Sequence, residues 1–202
     1  MLINKIEVDE GRDIIIMDEA FKFGEHHALY DICMSLKYSC TSYSNFDIQD
    51  ITDKRMRADL TQDDNLCNII FNDYRIKQFQ QFIKPDEYSY SHAYVNLGLV
   101  NDSHEIHVDG TTPGQVMTML IYPNTEWELN HGGETVFYKE DRKEMVYLNP
   151  YKPGRICLFE GSIPHCAKPQ ALIGPKYRFT IAVKFFCRDI RTDDIIGMSR
   201  PS

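Results

Sequence analysis

Long apolar runs are missing from this 202-residue chain. No stretch approaches the roughly 20 residues that a membrane-spanning helix requires, so no membrane partner is expected. An excess of positive charge is missing as well: 22 Lys and Arg stand against 30 Asp and Glu, for a formal net charge of -8. That balance argues against broad attraction to nucleic acid or anionic lipid, although a local basic groove is compatible with it. Cys33, Cys40, Cys67, Cys157, Cys166 and Cys187 include no Cys-x-x-Cys pair, so reduced thiols packed as small hydrophobes are expected. Residues 1–20 lack the basic start, apolar core and small-residue cleavage site of a secretory leader. A cytoplasmic protein fits these absences. Repeats, low-complexity tracts and linkers are absent too, and the length suits one domain spanning residues 1–202.

What is present changes in texture at Pro85. Before it, Ile14-Ile15-Ile16 reads as a strand, and Leu29, Ile32, Cys33 and Leu36 recur at helical spacing over residues 27–37. Residues 40–64 are polar, with scattered aromatics and the basic pair Arg55 and Arg57, which predicts a long loop. A second helix is expected over residues 66–83, ended by Pro85. Short β-rich runs follow at 88–97, 105–108, 115–122, 135–138, 144–148, 155–159 and 177–186. Turn pairs such as Pro113-Gly114, Gly132-Gly133 and Pro153-Gly154 separate them. Many short strands punctuated in this way predict a sandwich or jelly roll. The expected architecture is mainly β: residues 1–85 supply an N-terminal strand and support helices, and residues 86–202 form the core that carries the site.

In that core, His107-Val108-Asp109 puts two ligating side chains on one face, because alternate residues of a strand point the same way. His165 follows a strand and a turn containing Gly161 and Pro164, which returns it to a strand edge. Two imidazoles and one carboxylate, with the other positions open, form the ligand set of non-haem Fe(II) oxygenases. A lone His-x-Asp is a weak signal, since most such pairs are simply solvated. Arg178 strengthens it. Along residues 177–186, Phe179, Ile181, Val183 and Phe185 share one face, while Arg178, Thr180, Ala182 and Lys184 share the other. An arginine facing the inside of a sandwich is costly unless it meets an anion. A dicarboxylate gripped by the guanidinium fork is such an anion; an arginine reaching solvent at the sheet edge is the plainer alternative.

The His-x-Asp triplet combines with Gly132-Gly133-Glu134-Thr135-Val136-Phe137, Pro153-Gly154-Arg155 running into Leu158-Phe159, Pro164-His165 and the basic residue opening the last strand. Together they resemble the Fe(II)/2-oxoglutarate dioxygenase superfamily, nearest its prolyl 4-hydroxylase-like branch. The resemblance covers the C-terminal half and implies a double-stranded β-helix, a form of jelly roll. It further implies Fe(II) held by His107, Asp109 and His165, with 2-oxoglutarate as cosubstrate, O2 as oxidant and ascorbate as a reductant.

The far carboxylate of the cosubstrate falls to Arg178 in this resemblance. Tyr122 matches a tyrosine that hydrogen-bonds the same carboxylate, with packing beside Pro123 as the alternative, and Tyr94 is a candidate pocket wall. Collagen-type prolyl hydroxylases use lysine where this chain has Arg178, and Lys176, of the same parity, competes for the role. His104 lacks the parity of residues 107 and 109 and is expected in a loop or supporting position. The implied reaction is hydroxylation of a C-H bond, of a prolyl residue in a peptide or protein, with 2-oxoglutarate converted to succinate and CO2. Alternatives are the same chemistry on a free amino acid, small metabolite or alkylated nucleic-acid base, and a non-catalytic metal-binding jelly-roll interaction module.

Overall fold

A computed structural model describes residues 1–9, 12–41, 55–60, 69–71, 73–84, 86–100, 102 and 104–188. In chain order the elements are β1 (Leu2–Asp9), β2 (Arg12–Asp18), α1 (Phe23–Ser35), β3 (Ser39–Thr41), β4 (Arg55–Asp59), α2 (Asp73–Phe79) and β5 (Tyr88–Gly98). They continue with β6 (Val116–Ile121), β7 (Thr135–Tyr138), β8 (Met145–Asn149), β9 (Ile156–Glu160), β10 (His165–Ala167) and β11 (Arg178–Cys187). Eight strands make one antiparallel sheet in the order β1-β2-β9-β6-β11-β5-β4-β3, and β10-β7-β8 make a second. The C-terminal strand β11 therefore lies inside the larger sheet, paired with β6 on one side and β5 on the other.

Side-chain alternation splits the core in two. Ile15, Met17, Met119, Ile121, Leu158, Phe179, Ile181 and Val183 face one way and pack against Leu29 and Cys33 of α1 and Phe79 of α2. Their neighbours Ile14, Ile16, Leu120, Tyr122, Cys157, Phe159 and Ala182 face the other way and meet Phe137 of the smaller sheet. The result is a jelly roll: two sheets face each other, and the helices back the larger one. Strands buried on both faces read as nearly continuous apolar runs, which is why β9 and β11 stand out in the sequence.

Most expected elements are present, with informative differences. The first helix begins at Phe23 because Glu25 accepts the Lys22 backbone N-H at 2.8 Å, and it ends at Ser35, with Leu36 already extended. Strand β4 occupies residues expected to be loop; its pairing with β5 and the burial of Ala58 override a polar local composition. Cys40 and Thr41 of that expected loop lie in β3, paired with β4, and its residues 42–54 and 61–64 lie outside the described residues. Residues 105–108 form no strand of their own: His107 makes a single antiparallel bridge to His165. Arg75 is buried and forks onto Glu25 with both contacts at 3.0 Å, tying α2 to the first turn of α1. Among the described residues no helix is long and apolar enough to cross a membrane.

A second ion pair closes the end of the sandwich. Asp18 at the end of β2 accepts from Arg155 Nε (2.8 Å), Arg155 Nη2 (3.0 Å) and Lys152 Nζ (3.0 Å), while Arg155 also reaches Asn149. Burial alone would raise the Asp18 carboxyl pKa, but these hydrogen bonds and positive charges bring it below its ordinary value. A depressed carboxylate pKa stabilises the fold above the unfolded-state value, and that contribution disappears as pH falls through the folded-state value. Asp18→Asn should therefore destabilise the protein at pH 7 by ~1–3 kcal/mol, the cost of leaving a charged partner unmatched. The difference from wild type should narrow below about pH 4. Urea unfolding at the two pH values measures it, and a gap that widens on acidification would contradict the assignment.

Candidate metal centre

His107, Asp109 and His165 present ligand atoms that all lie within 4.8 Å of one another. Backbone pairing brings the two histidines together: His107 N-H donates to His165 O at 3.0 Å, and His165 N-H donates to His107 O at 2.9 Å. Each imidazole is then turned by its own chain. Nδ1 of His107 bonds Glu105 O at 3.0 Å, and Nδ1 of His165 bonds Ile163 O at 2.9 Å. A carbonyl can only accept, so the proton sits on Nδ1 and Nε2 carries the lone pair a metal needs. Burial pushes the His165 pKa down to about 3 against the pull of Asp109, which keeps this ring neutral.

Asp109 is seated by the turn after β9. Gly161 O accepts from Asp109 N (2.8 Å) and Gly110 N (3.2 Å), and a Cβ on Gly161 would stand 3.2 Å from Asp109 Cβ and 3.0 Å from Val116. Only a residue without a side chain lets the turn pass so close. Buried Glu160 holds the same turn by accepting from Gly114 N and Ser162 N at 3.1 Å. The Asp109 carboxylate also has its own partners: Thr118 Oγ1 donates to Oδ2 at 2.6 Å, and the Lys184 ammonium touches the same oxygen. Burial would raise this carboxyl, but Lys184 and the two imidazoles hold it well below the usual carboxylate range.

The cavity beside the cluster measures about 670 Å³, counting the part open to solvent, and Arg178, Thr180, Ala182 and Lys184 of β11 all line it. Tyr94 and His104 are in the lining as well. Tyr122 lies behind the wall, with no exposed surface, and its hydroxyl is engaged at 2.8 Å with both Thr135 and Asn149. It reaches the cavity only through Thr135. Lys176 stacks on the ring of Tyr177, 5.1 Å from its centroid, and is not in the cavity lining. Lys184 is the site residue that sequence reasoning misses. Its signal lies in the parity it shares with Arg178, because an ammonium on an inward face needs an anion there.

Residues 92–185 match the family model described as the 2OG-Fe(II) oxygenase superfamily. This segment of the chain belongs to the 2OG-Fe(II) oxygenase superfamily. No curated protein matches the chain. Among solved structures, a 2OG-Fe(II) oxygenase family oxidoreductase from Burkholderia pseudomallei is similar at 12% identity, with 86% of this chain and 85% of that one covered and a TM-score of 0.66. A Pseudomonas putida prolyl-4-hydroxylase is similar at 13% identity (87% and 92% covered, TM-score 0.62). So is a Trichoplax adhaerens prolyl hydroxylase in complex with a hypoxia inducible factor oxygen degradation domain peptide fragment, at 16% (93% and 87%, 0.62). At such identities the likeness is one of fold.

The cofactors of a 2OG-Fe(II) oxygenase are Fe(II), 2-oxoglutarate and O2, and the donors at this cavity fit the first two. Two imidazoles and a carboxylate suit a divalent iron. Arg178 is 5% exposed; its Nε donates to Gly133 O (2.9 Å) and its Nη1 to Thr180 Oγ1 (2.8 Å). Its Nη2 is buried with no hydrogen-bond partner among the described residues. Burial lowers the pKa of this guanidinium, yet an arginine stays charged, so it waits for an anion.

Gly133 sets where the guanidinium stands. Its φ is +77°, and an added Cβ would lie 2.9 Å from Trp127 Cζ2 and 3.0 Å from Arg178 Nε. Gly133→Ala should cost ~1–3 kcal/mol for strained backbone and push the two side chains apart. Trp127 is the only tryptophan, so denaturant unfolding and its emission maximum check both effects. A variant with wild-type stability and emission would show that the contact is not tight.

Proposed function

We propose that this chain is an Fe(II)- and 2-oxoglutarate-dependent dioxygenase that hydroxylates a C-H bond, with a prolyl residue of a peptide or protein as its prime substrate. His107, Asp109 and His165 hold the metal, and Arg178 anchors the far carboxylate of 2-oxoglutarate. The observation that carries this reading is the unpartnered Nη2 of Arg178, on a residue lining the same cavity as the three-donor cluster. A metal-binding module without turnover has no use for that cation, and burying a charge without its partner costs several kcal/mol by order of magnitude.

Iron, when bound, would activate O2 as the oxidant, and 2-oxoglutarate would supply two electrons by decarboxylating to succinate and CO2, one oxygen atom going to succinate and the other to the C-H bond. The residues of the chain position and shield. Gly133 and Thr180 engage Nε and Nη1 of Arg178 and leave Nη2 for the cosubstrate. Ala182, between Thr180 and Lys184 on the same strand face, leaves room along the wall where a larger side chain would intrude. Tyr94 contributes a wall, with Arg57 lying 3.7 Å from its ring centroid. Tyr122 is a positioning residue that acts through Thr135. Nδ1 hydrogen bonds to backbone carbonyls keep both imidazoles from rotating out of the grip.

The prolyl assignment draws on the motif resemblance of residues 107–186 and on the fold shared with the Pseudomonas putida and Trichoplax adhaerens prolyl hydroxylases. An alkylated base is disfavoured by the net charge of -8 and by Lys184, which is held on Asp109 and is not available to a phosphate backbone. The five described cysteines are all free, which accords with work in the reducing cytoplasm.

Succinate release from anaerobically iron-loaded protein, given 2-oxoglutarate and then O2, tests the chemistry. It should vanish in His107→Ala. In Arg178→Met the 2-oxoglutarate needed for half-maximal release should rise about tenfold to a hundredfold, the equivalent of ~1.5–3 kcal/mol for a charge-assisted hydrogen bond. Proline-bearing peptides should stimulate release and gain one oxygen by mass spectrometry; stimulation by free amino acids alone would move the substrate to a small molecule. No binding of iron or 2-oxoglutarate by calorimetry would remove the oxygenase reading.

A further inference from the structure

Lys184 is a conspicuous use of a buried charge in this fold. The residue is 6% exposed, and its ammonium touches Asp109 Oδ2 and donates to Thr118 Oγ1 at 2.9 Å. Thr118 Oγ1 in turn donates a hydrogen bond to the same Oδ2 at 2.6 Å, so Lys184, Thr118 and Asp109 form a closed triangle at one carboxylate oxygen. His165 Nε2 stands 3.5 Å from that oxygen. The triangle lies between the two sheets, on adjacent strands: Lys184 of β11 is the register partner of Thr118 of β6. Neither Lys184 nor Thr118 belongs to the three-donor cluster.

Two facts of charge follow. A buried carboxylate is a negative charge in a poorly solvated place, and such a charge strongly destabilises a fold unless a cation meets it. Lys184 supplies that cation from within the chain. A dication entering the grip then shares Asp109 with a fixed positive charge, and like charges in a low-dielectric pocket repel far more than in water. We propose that Lys184 is a built-in counter-cation: it keeps the metal-free protein folded with Asp109 charged and in place, and in return weakens the hold of the site on a divalent metal. This rests on the reading of His107, Asp109 and His165 as the metal ligands. It predicts that metal is not required for folding and that the centre exchanges its metal readily.

The charge can be removed at nearly constant size. In Lys184→Met the dissociation constant for Co(II), measured by calorimetry and by the ligand-field absorption of the bound ion, should fall about tenfold or more. The melting temperature without metal should drop, and the rise on adding Co(II) should be larger than in wild type, since metal then supplies the counter-charge. Lys184→Arg keeps the charge and should bind Co(II) within about threefold of wild type. If Lys184→Met does not fold without metal but folds with Co(II), that too supports the proposal. If it folds in neither condition, Lys184→Gln, which keeps a donor for Thr118 and Asp109 without the charge, must show the tightening. Co(II) binding by the neutral variant that is no tighter than wild type overturns the counter-cation role. Absence of Co(II) binding by wild type, or equal binding by His107→Ala, instead removes the ligand assignment beneath it.

Discussion

An ion buried between two β-sheets has to meet its opposite there, and one face of β11 imposes that condition twice. Lys184 meets it inside the chain through Asp109; Arg178 meets it only in part, through a carbonyl and a hydroxyl. The surroundings follow from these two cations. Thr118 and the turn at Gly161 exist where they do to hold Asp109 against Lys184, and Gly133, with its left-handed backbone and no side chain, leaves the space that Arg178 and Trp127 occupy on either hand. Between the two ends, Thr180 and Ala182 keep the wall narrow. The polarity of a site inside an otherwise apolar sandwich is thus concentrated on alternate residues of one strand and on the loops that answer it.

Much of this is legible in the amino-acid sequence. Strands with buried faces announce themselves by β-branched and aromatic runs, so β9 and β11 are readable, as is the parity that sends Arg178 and Lys184 to the same side. The triplet His107-Val108-Asp109 carries its own geometry, since residues two apart share a face whether they lie in a full strand or, as here, in an extended segment with a single bridge. Less visible is anything decided by pairing at a distance. Strand β10 is three residues long and is defined by β7 beside it, not by its composition. Strand β4 is polar enough to pass for loop until β5 is placed next to it. Tyr122 resembles a cavity residue from its place at a strand end. The side-chain period does point it between the sheets, but Thr135 and Asn149 stand in front of it.

The helices serve the site from the opposite side of the large sheet. Leu29 and Cys33 of α1 and Phe79 of α2 cover the outer faces of β6 and β11, so the inner faces of those strands are free to carry polar groups without the sheet losing its packing. Arg75, buried against Glu25 and the carbonyl of Ala20, fixes α2 to the start of α1. Asp18 and Arg155 do comparable work at the end of β2, next to the turn that leads into β9.

The position of β11 has a further consequence for how the molecule comes into being. It is the last described strand in the chain, yet it sits between β6 and β5 in the larger sheet. During synthesis from the N-terminus, β5 and β6 emerge with an open seam between them, and Asp109 emerges long before the lysine that faces it. A nascent chain that stops short of residue 178 has neither the middle of its sheet nor either buried cation. Its two histidines can be near each other only as part of an unclosed structure. Threading β11 into that seam closes the sheet and completes the charges around the site in a single event, so synthesis must pass residue 184 before the centre is whole.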